Sequence, residues 1–116
     1  MTAAPLTAQW VAVCDPDLIQ TERGLAALVD GHQLALFRTH DGALYALDNR
    51  DPFSGAYVLS RGIVGSRGGT PTVASPMYKQ VFDLRTGACL DDTTVRVPTY
   101  DVRVADGWVK VRPWAR

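Results

Sequence analysis

The sequence predicts an all-β protein, an antiparallel β-sandwich or small barrel. Three observations carry this reading. Apolar residues recur with a period of two in several short runs, Asp-Gly dipeptides punctuate those runs at close spacing, and no stretch of helical length repeats its apolar residues every 3.6 positions. With 116 residues, 47% of them hydrophobic, one domain over residues 1–116 is expected, able to close a core without disulfides or metal as staples.

Residues 1–8 read as a flexible tail. Gln9-Trp-Val-Ala-Val-Cys14 is a first strand, stopped by Asp15-Pro-Asp17, where proline fixes φ and aspartate side chains satisfy local amides. Residues 25–29, 33–38 and 43–47 are three β runs separated by Asp30-Gly31 and Asp41-Gly42, dipeptides suited to the φ > 0 positions of tight hairpins, so an antiparallel meander is expected. Both faces of the middle run are apolar, Leu34 and Leu36 on one and Ala35 and Phe37 on the other, as befits a strand between two layers. Residues 49–72 read as irregular. Within them Gly65-Ser-Arg-Gly-Gly69 is taken as a flexible turn, since it lacks the following helix and the lysine of a phosphate cradle. Strands resume at 72–75 and 80–84, before a Thr86-Gly87 turn. The chain closes in a hairpin, 100–105 and 108–112 around Asp106-Gly107, with Tyr100, Val102 and Val104 on one face.

Twelve basic residues balance twelve acidic ones, which removes bulk electrostatic attraction to nucleic acid or an anionic membrane. The halves differ: residues 1–60 carry seven acidic against three basic side chains, a net −4, and the remainder is +4; interleaved strands turn this into a mixed surface. The N-terminus has neither a basic region nor a continuous apolar stretch of signal-peptide type, and no apolar run approaches the roughly 20 residues that span a bilayer, so a cytoplasmic protein is expected. Cys14 and Cys89 read as buried free thiols rather than as a disulfide or reactive pair. His32 and His40 each lie beside a hairpin turn, without Cys, Asp or Glu at ligand spacing, and read as surface turn residues.

Two stretches remain, Leu47-Asp-Asn-Arg-Asp-Pro-Phe-Ser-Gly-Ala56 and Ser75-Pro-Met-Tyr-Lys79 with the following Phe82-Asp-Leu-Arg-Thr-Gly87. They resemble the two loops that hold the two-iron, two-sulfur centre of Rieske proteins, which carry Cys-x-His in the first loop and Cys-x-x-His in the second, then Phe-Asp-Leu and a Thr-Gly turn. On that resemblance Asp51, Phe53, Ser75 and Tyr78 stand at the four ligand positions. A carboxylate, a hydroxyl, a phenol and a phenyl ring do not replace two thiolates and two imidazoles, so no metal, cofactor or catalytic residue is expected in this chain. The likeness narrows further. Asn49-Arg-Asp-Pro-Phe53, Ser60-Arg-Gly-Ile-Val64, Ala74-Ser-Pro-Met-Tyr-Lys-Gln80, Cys89-Leu-Asp91 and Val97-Pro-Thr-Tyr-Asp-Val-Arg-Val104 resemble the small subunit of bacterial assimilatory NAD(P)H-dependent nitrite reductase. That family has the Rieske-like fold without the cluster. The resemblance implies a non-catalytic accessory subunit whose partner, the large catalytic subunit, holds FAD, an iron–sulfur cluster and sirohaem and reduces nitrite to ammonia.

Phe53 and Tyr78, helped by Pro52, Pro76 and Met77, are expected to fill the space a cluster leaves, either as ordinary packing or as an apolar docking tip. The candidate interface is Arg50, Pro52, Phe53, Pro76, Met77, Tyr78 and Lys79, with Arg61 and Gln80 on its rim. Three competing readings are a free-standing β interaction module, a Rieske-type ferredoxin carrying electrons, and a small enzyme built on Asp51, Ser75 and Tyr78. The last has no histidine in either loop to serve as base.

Overall fold

The computed structural model describes residues 10–112, so the tail expected at 1–8 lies outside the described residues. These residues form nine strands: β1 (Val11–Cys14), β2 (Gly24–Val29), β3 (His32–Arg38), β4 (Leu44–Asp48), β5 (Ile63–Arg67), β6 (Thr70–Ala74), β7 (Val81–Asp83), β8 (Thr99–Ala105) and β9 (Trp108–Arg112). A six-stranded antiparallel sheet runs β1-β9-β8-β4-β3-β2, and a three-stranded one runs β5-β6-β7. The helical content described is two single turns of 3-10 helix, Pro16–Leu18 and Leu59–Arg61. Asp15 caps the first, its Oδ1 accepting from the Asp17 amide at 2.8 Å.

The meander and the closing hairpin stand where the sequence places them. Asp30 and Gly31 take φ of 49° and 80°, the backbone of a type I′ turn. The β3–β4 turn departs from expectation, because only Gly42 is left-handed there. Thr39 N–H bonds to the Ala43 carbonyl, and Asp41 Oδ1 accepts from the Thr39 hydroxyl and the Ala43 amide, so this is a wider turn tied by a side chain. Residues 49–72 are also less irregular than expected. β5 and β6 pair in continuous register around Gly68-Gly69, whose φ values of 58° and 84° form a second two-residue turn. Sequence pattern conceals this hairpin, since Ile63, Gly65, Ser66 and Arg67 are all exposed and Gly65 interrupts the alternation.

One core was expected and two clusters are found, with β3 between them. Leu34 and Leu36 pack with Ile19, Val29, Val109 and Val111; Ala35 and Phe37 pack with Leu47, Leu59, Val73, Phe82, Leu84 and Val97. Cys14 belongs to the first cluster and Cys89 to the second, both as free thiols. Tyr100 and Val102 pack on the first cluster as their shared face requires, whereas Val104, further along the same strand, is half exposed. His32 and His40 are exposed beside their turns.

Two features position the functional loops. Asn49, fully buried in effect, accepts from the Ser60 amide at 2.7 Å and donates from Nδ2 to the Tyr57 carbonyl at 3.2 Å, closing the base of the loop between them. The Phe82-Asp-Leu-Arg-Thr-Gly87 stretch is a structural motif. Asp83 accepts from the Arg85 amide at 2.8 Å and from its guanidinium, while Gly87 sits at φ 79° with room for no side chain, an added Cβ lying 1.9 Å from the Val97 oxygen.

Candidate functional site

The two loops turn in the same way. In the first, the Asp51 amide bonds to the Ala56 carbonyl at 2.8 Å and the Gly55 amide returns to the Asp51 carbonyl at 2.7 Å. In the second, the Ser75 amide bonds to the Gln80 carbonyl at 2.9 Å and the Lys79 amide returns to the Ser75 carbonyl at 3.1 Å. Each loop has proline second and a left-handed residue fifth, Gly55 at φ 80° and Lys79 at φ 68°. Each first residue also accepts from the amide two positions on: Asp51 Oδ1 from Phe53 at 2.8 Å, Ser75 Oγ from Met77 at 3.2 Å. Aspartate and serine suit this role because short oxygen-bearing side chains reach back to nearby amides. The shared pattern, Asp/Ser-Pro-x-x-Gly/Lys, is visible in the sequence and marks the loops as a matched pair.

At their centre the loops meet directly. The Ser75 hydroxyl donates to Asp51 Oδ2 at 2.5 Å, and both residues are fully buried. Sequence reasoning named these two positions but not their bond, which joins residues 24 apart in the chain. Phe53 turns inward as expected, its ring 6.2 Å from that of Phe82 on the edge of a core cluster. Tyr78 does not fill the former ligand space: it is 60% exposed, and Met77 is 47% exposed beside it. The inward gap is taken by Phe53 and by the Asp51–Ser75 bond, which leaves Tyr78 outside. Of the candidate interface residues, Arg50, Met77, Tyr78 and Lys79 are exposed, whereas Pro52, Phe53 and Pro76 are partly buried; on the expected rim Arg61 is exposed and Gln80 mostly covered. Tyr57, 54% exposed and bridged to Arg50, adjoins the first loop and was not singled out from sequence, where a lone tyrosine carries no pattern.

This arrangement limits the chemistry. A nucleophilic serine needs a base and open space for substrate. Ser75 lacks the space, because its hydroxyl and the Asp51 carboxylate that accepts from it are both closed inside the protein. Tyr78 points away, so the three polar candidates do not converge. Among the described residues no group of three or more His, Cys, Asp or Glu is placed to hold a metal ion.

The family model described as the Rieske-like [2Fe-2S] domain matches residues 9–112. The nitrite reductase (NADH) small subunit of Salmonella typhimurium is 44% identical over 105 residues, covering 90% of this chain and 97% of that protein. The chain belongs to the Rieske-like nitrite reductase small subunits. A crystal structure assigned to the NADH-dependent nitrite reductase small subunit of Mycobacterium tuberculosis matches with a TM-score of 0.88 at 49% identity, covering 93% of this chain and 97% of that one. The same domain also occurs inside a longer chain: a Klebsiella oxytoca NAD(P)H nitrite reductase large subunit is 46% identical over 102 residues, 88% of this chain but 11% of that protein. The cluster named in the family description does not fit the donors of this small-subunit chain. Neither loop offers a thiolate or an imidazole, both cysteines lie in the cores, and the Asp51 and Ser75 oxygens are engaged with each other and with loop amides.

Proposed function

We propose that this chain is the accessory small subunit of an NAD(P)H-dependent nitrite reductase, acting in the cytoplasm through binding, with no cluster and no active site of its own. The observation that carries the reading is the buried Ser75–Asp51 hydrogen bond, which joins two Rieske-type loops directly where thiolates would otherwise be bridged by an inorganic core. The loops keep their form while their donors serve packing. The reaction, nitrite to ammonia, then belongs to the large catalytic subunit, which is the chain to hold FAD, the iron–sulfur cluster and sirohaem. Natural fusion of this domain into a Klebsiella large subunit supports residence alongside that partner.

The docking tip is the loop pair Arg50, Pro52, Phe53, Pro76, Met77, Tyr78 and Lys79, with Met77 and Tyr78 as its exposed apolar centre and Phe53 supporting it from inside. Arg50 and Lys79 flank it with no side-chain partner among the described residues, which suits an acidic rim on the partner. Phe53 is a poor probe, since a charge there would be buried against Phe82 and unfold the loop. The test is the paired substitution Met77→Asp and Tyr78→Asp. Affinity for the large subunit is expected to fall at least about tenfold with the fold intact; unchanged affinity would refute docking through the tip.

A further inference from the structure

The three-stranded sheet has one edge covered and one open. Residues 88–90 run along β7, with the Leu90 amide on the Val81 carbonyl and the Asp83 amide on the Ala88 carbonyl. β5 has β6 on one side and, among the described residues, no strand on the other. Which of its backbone groups face outward follows from Pro71. Proline has no N–H, and the Pro71 carbonyl accepts from Leu84 on the β7 side, so the Ser66↔Pro71 pair exchanges no hydrogen bonds. Hydrogen-bonded and open pairs alternate, so the amides and carbonyls of Val64 and Ser66 point away from β6, and none of them has a partner among the described residues.

Open edges are normally blunted by a bulge, a proline or an inward charge. β1, an edge of the larger sheet, carries such a register shift between Ala12 and Cys14. β5 has none of these devices. Beside it lies a groove formed by two cavities of about 390 and about 320 Å³, both bordered by Val64 and Glu22. Its far wall is Glu22, Arg23 and Gly24 in the larger cavity, joined in the smaller by Thr39, His40 and Asp41; Glu22, left-handed at φ 61°, directs its amide to the Arg38 carbonyl and so toward β3. One end is shut where Gly24 meets the Ser60 carbonyl, an added Cβ there lying 2.1 Å from the oxygen. At this end stand Arg23 and Arg61, both exposed and both without an ion pair or side-chain hydrogen bond among the described residues.

We infer that β5 is a second docking edge, taking an extended acidic segment of the large subunit as an added strand whose backbone pairs with Val64 and Ser66 and whose carboxylates meet Arg23 and Arg61. The inference rests on the accessory-subunit reading but not on tip docking. A second copy of this chain is the poorer occupant, since pairing two β5 strands would bring a further Arg23 and Arg61 to this end of the groove against a single further Glu22, leaving the arginines in excess.

Amide hydrogen exchange tests this, measured on the full chain alone and in complex with the purified large subunit. Val64 and Ser66 are expected to exchange fast in the free chain and roughly a hundredfold slower in the complex. Ser66→Pro removes an outward donor without touching the β5–β6 ladder, and Gly65 before it tolerates a following proline. This variant is expected to bind at least about tenfold more weakly, as is Arg23→Glu with Arg61→Glu, which alters only exposed side chains and decides the matter should the proline variant misfold. A complex protecting the amides of residues 77–79 while Val64 and Ser66 still exchange fast would overturn the β5 inference and leave tip docking standing. Concentration-dependent protection of Val64 and Ser66 in the free chain would overturn it in favour of self-pairing. No complex at all would overturn the accessory-subunit reading and this inference with it.

Discussion

Asp51 Oδ2 sits in the protein interior with one side-chain donor, the Ser75 hydroxyl. Ser75→Ala leaves that oxygen unpaired and is expected to cost about 1–3 kcal/mol in denaturant unfolding. Stability unchanged by the substitution would mean that the bond does not tie the loops. Gly87 makes a second residue-scale test. Gly87→Ala sets a methyl group against the Val97 carbonyl at a left-handed φ, and a loss of about 2 kcal/mol or more is expected in the same measurement. The loop pair was readable from motif spacing, because both loops carry a proline after their first residue and the second is followed by Phe-Asp-Leu. Side-chain direction was not readable. Phe53 and Tyr78 are both aromatic, yet only the first lies over the Phe82 ring, and that neighbour is set by strand pairing distant in sequence.

Among the elements, the narrowest junction in the large sheet is β4 to β8, paired at Ala46↔Tyr100 and Leu47↔Thr99. The Tyr100 hydroxyl bridges it by donating to Asp48 Oδ1 at 2.5 Å. Burial, then the hydrogen bond and charge of Asp48, push the Tyr100 hydroxyl well above its ordinary pKa of 10.0. A raised pKa means the folded state holds the proton more tightly. The contribution is therefore complete below about pH 10 and is lost as pH rises toward the folded value. Thermal melts across that range are expected to show a steep alkaline loss that Tyr100→Phe flattens. At the acid end, burial would raise the Asp83 carboxyl, but the side-chain and backbone hydrogen bonds from Arg85 outweigh it and hold the group below the usual carboxylate range. Its stabilisation is present above the unfolded pKa of about 4 and fades as pH falls through the lower folded value. Hairpins with Asp-Gly turns and alternating faces were legible in sequence. β5 was not, because an edge strand exposed on most of its positions has no buried face to impose a period of two.

For the molecule as a whole, β3 divides the interior into two clusters, and the loop pair caps the one built around Phe37 and Phe82. Double-sided apolarity of β3 announced a layered fold in the sequence; that the layers are two separate cores depends on how the C-terminal hairpin folds back onto β1 and β4, which local pattern does not encode. On the proposed reading the loops are held through Asn49, the paired turns and the Asp51–Ser75 bond, with no inorganic bridge needed for their shape. Iron and acid-labile sulfide analysis of the purified chain, with its visible spectrum, bears on this most directly. Produced in cells that assemble iron–sulfur proteins, the chain is expected to be colourless with iron far below stoichiometric. Two irons and two sulfides per chain with visible charge-transfer bands would contradict it.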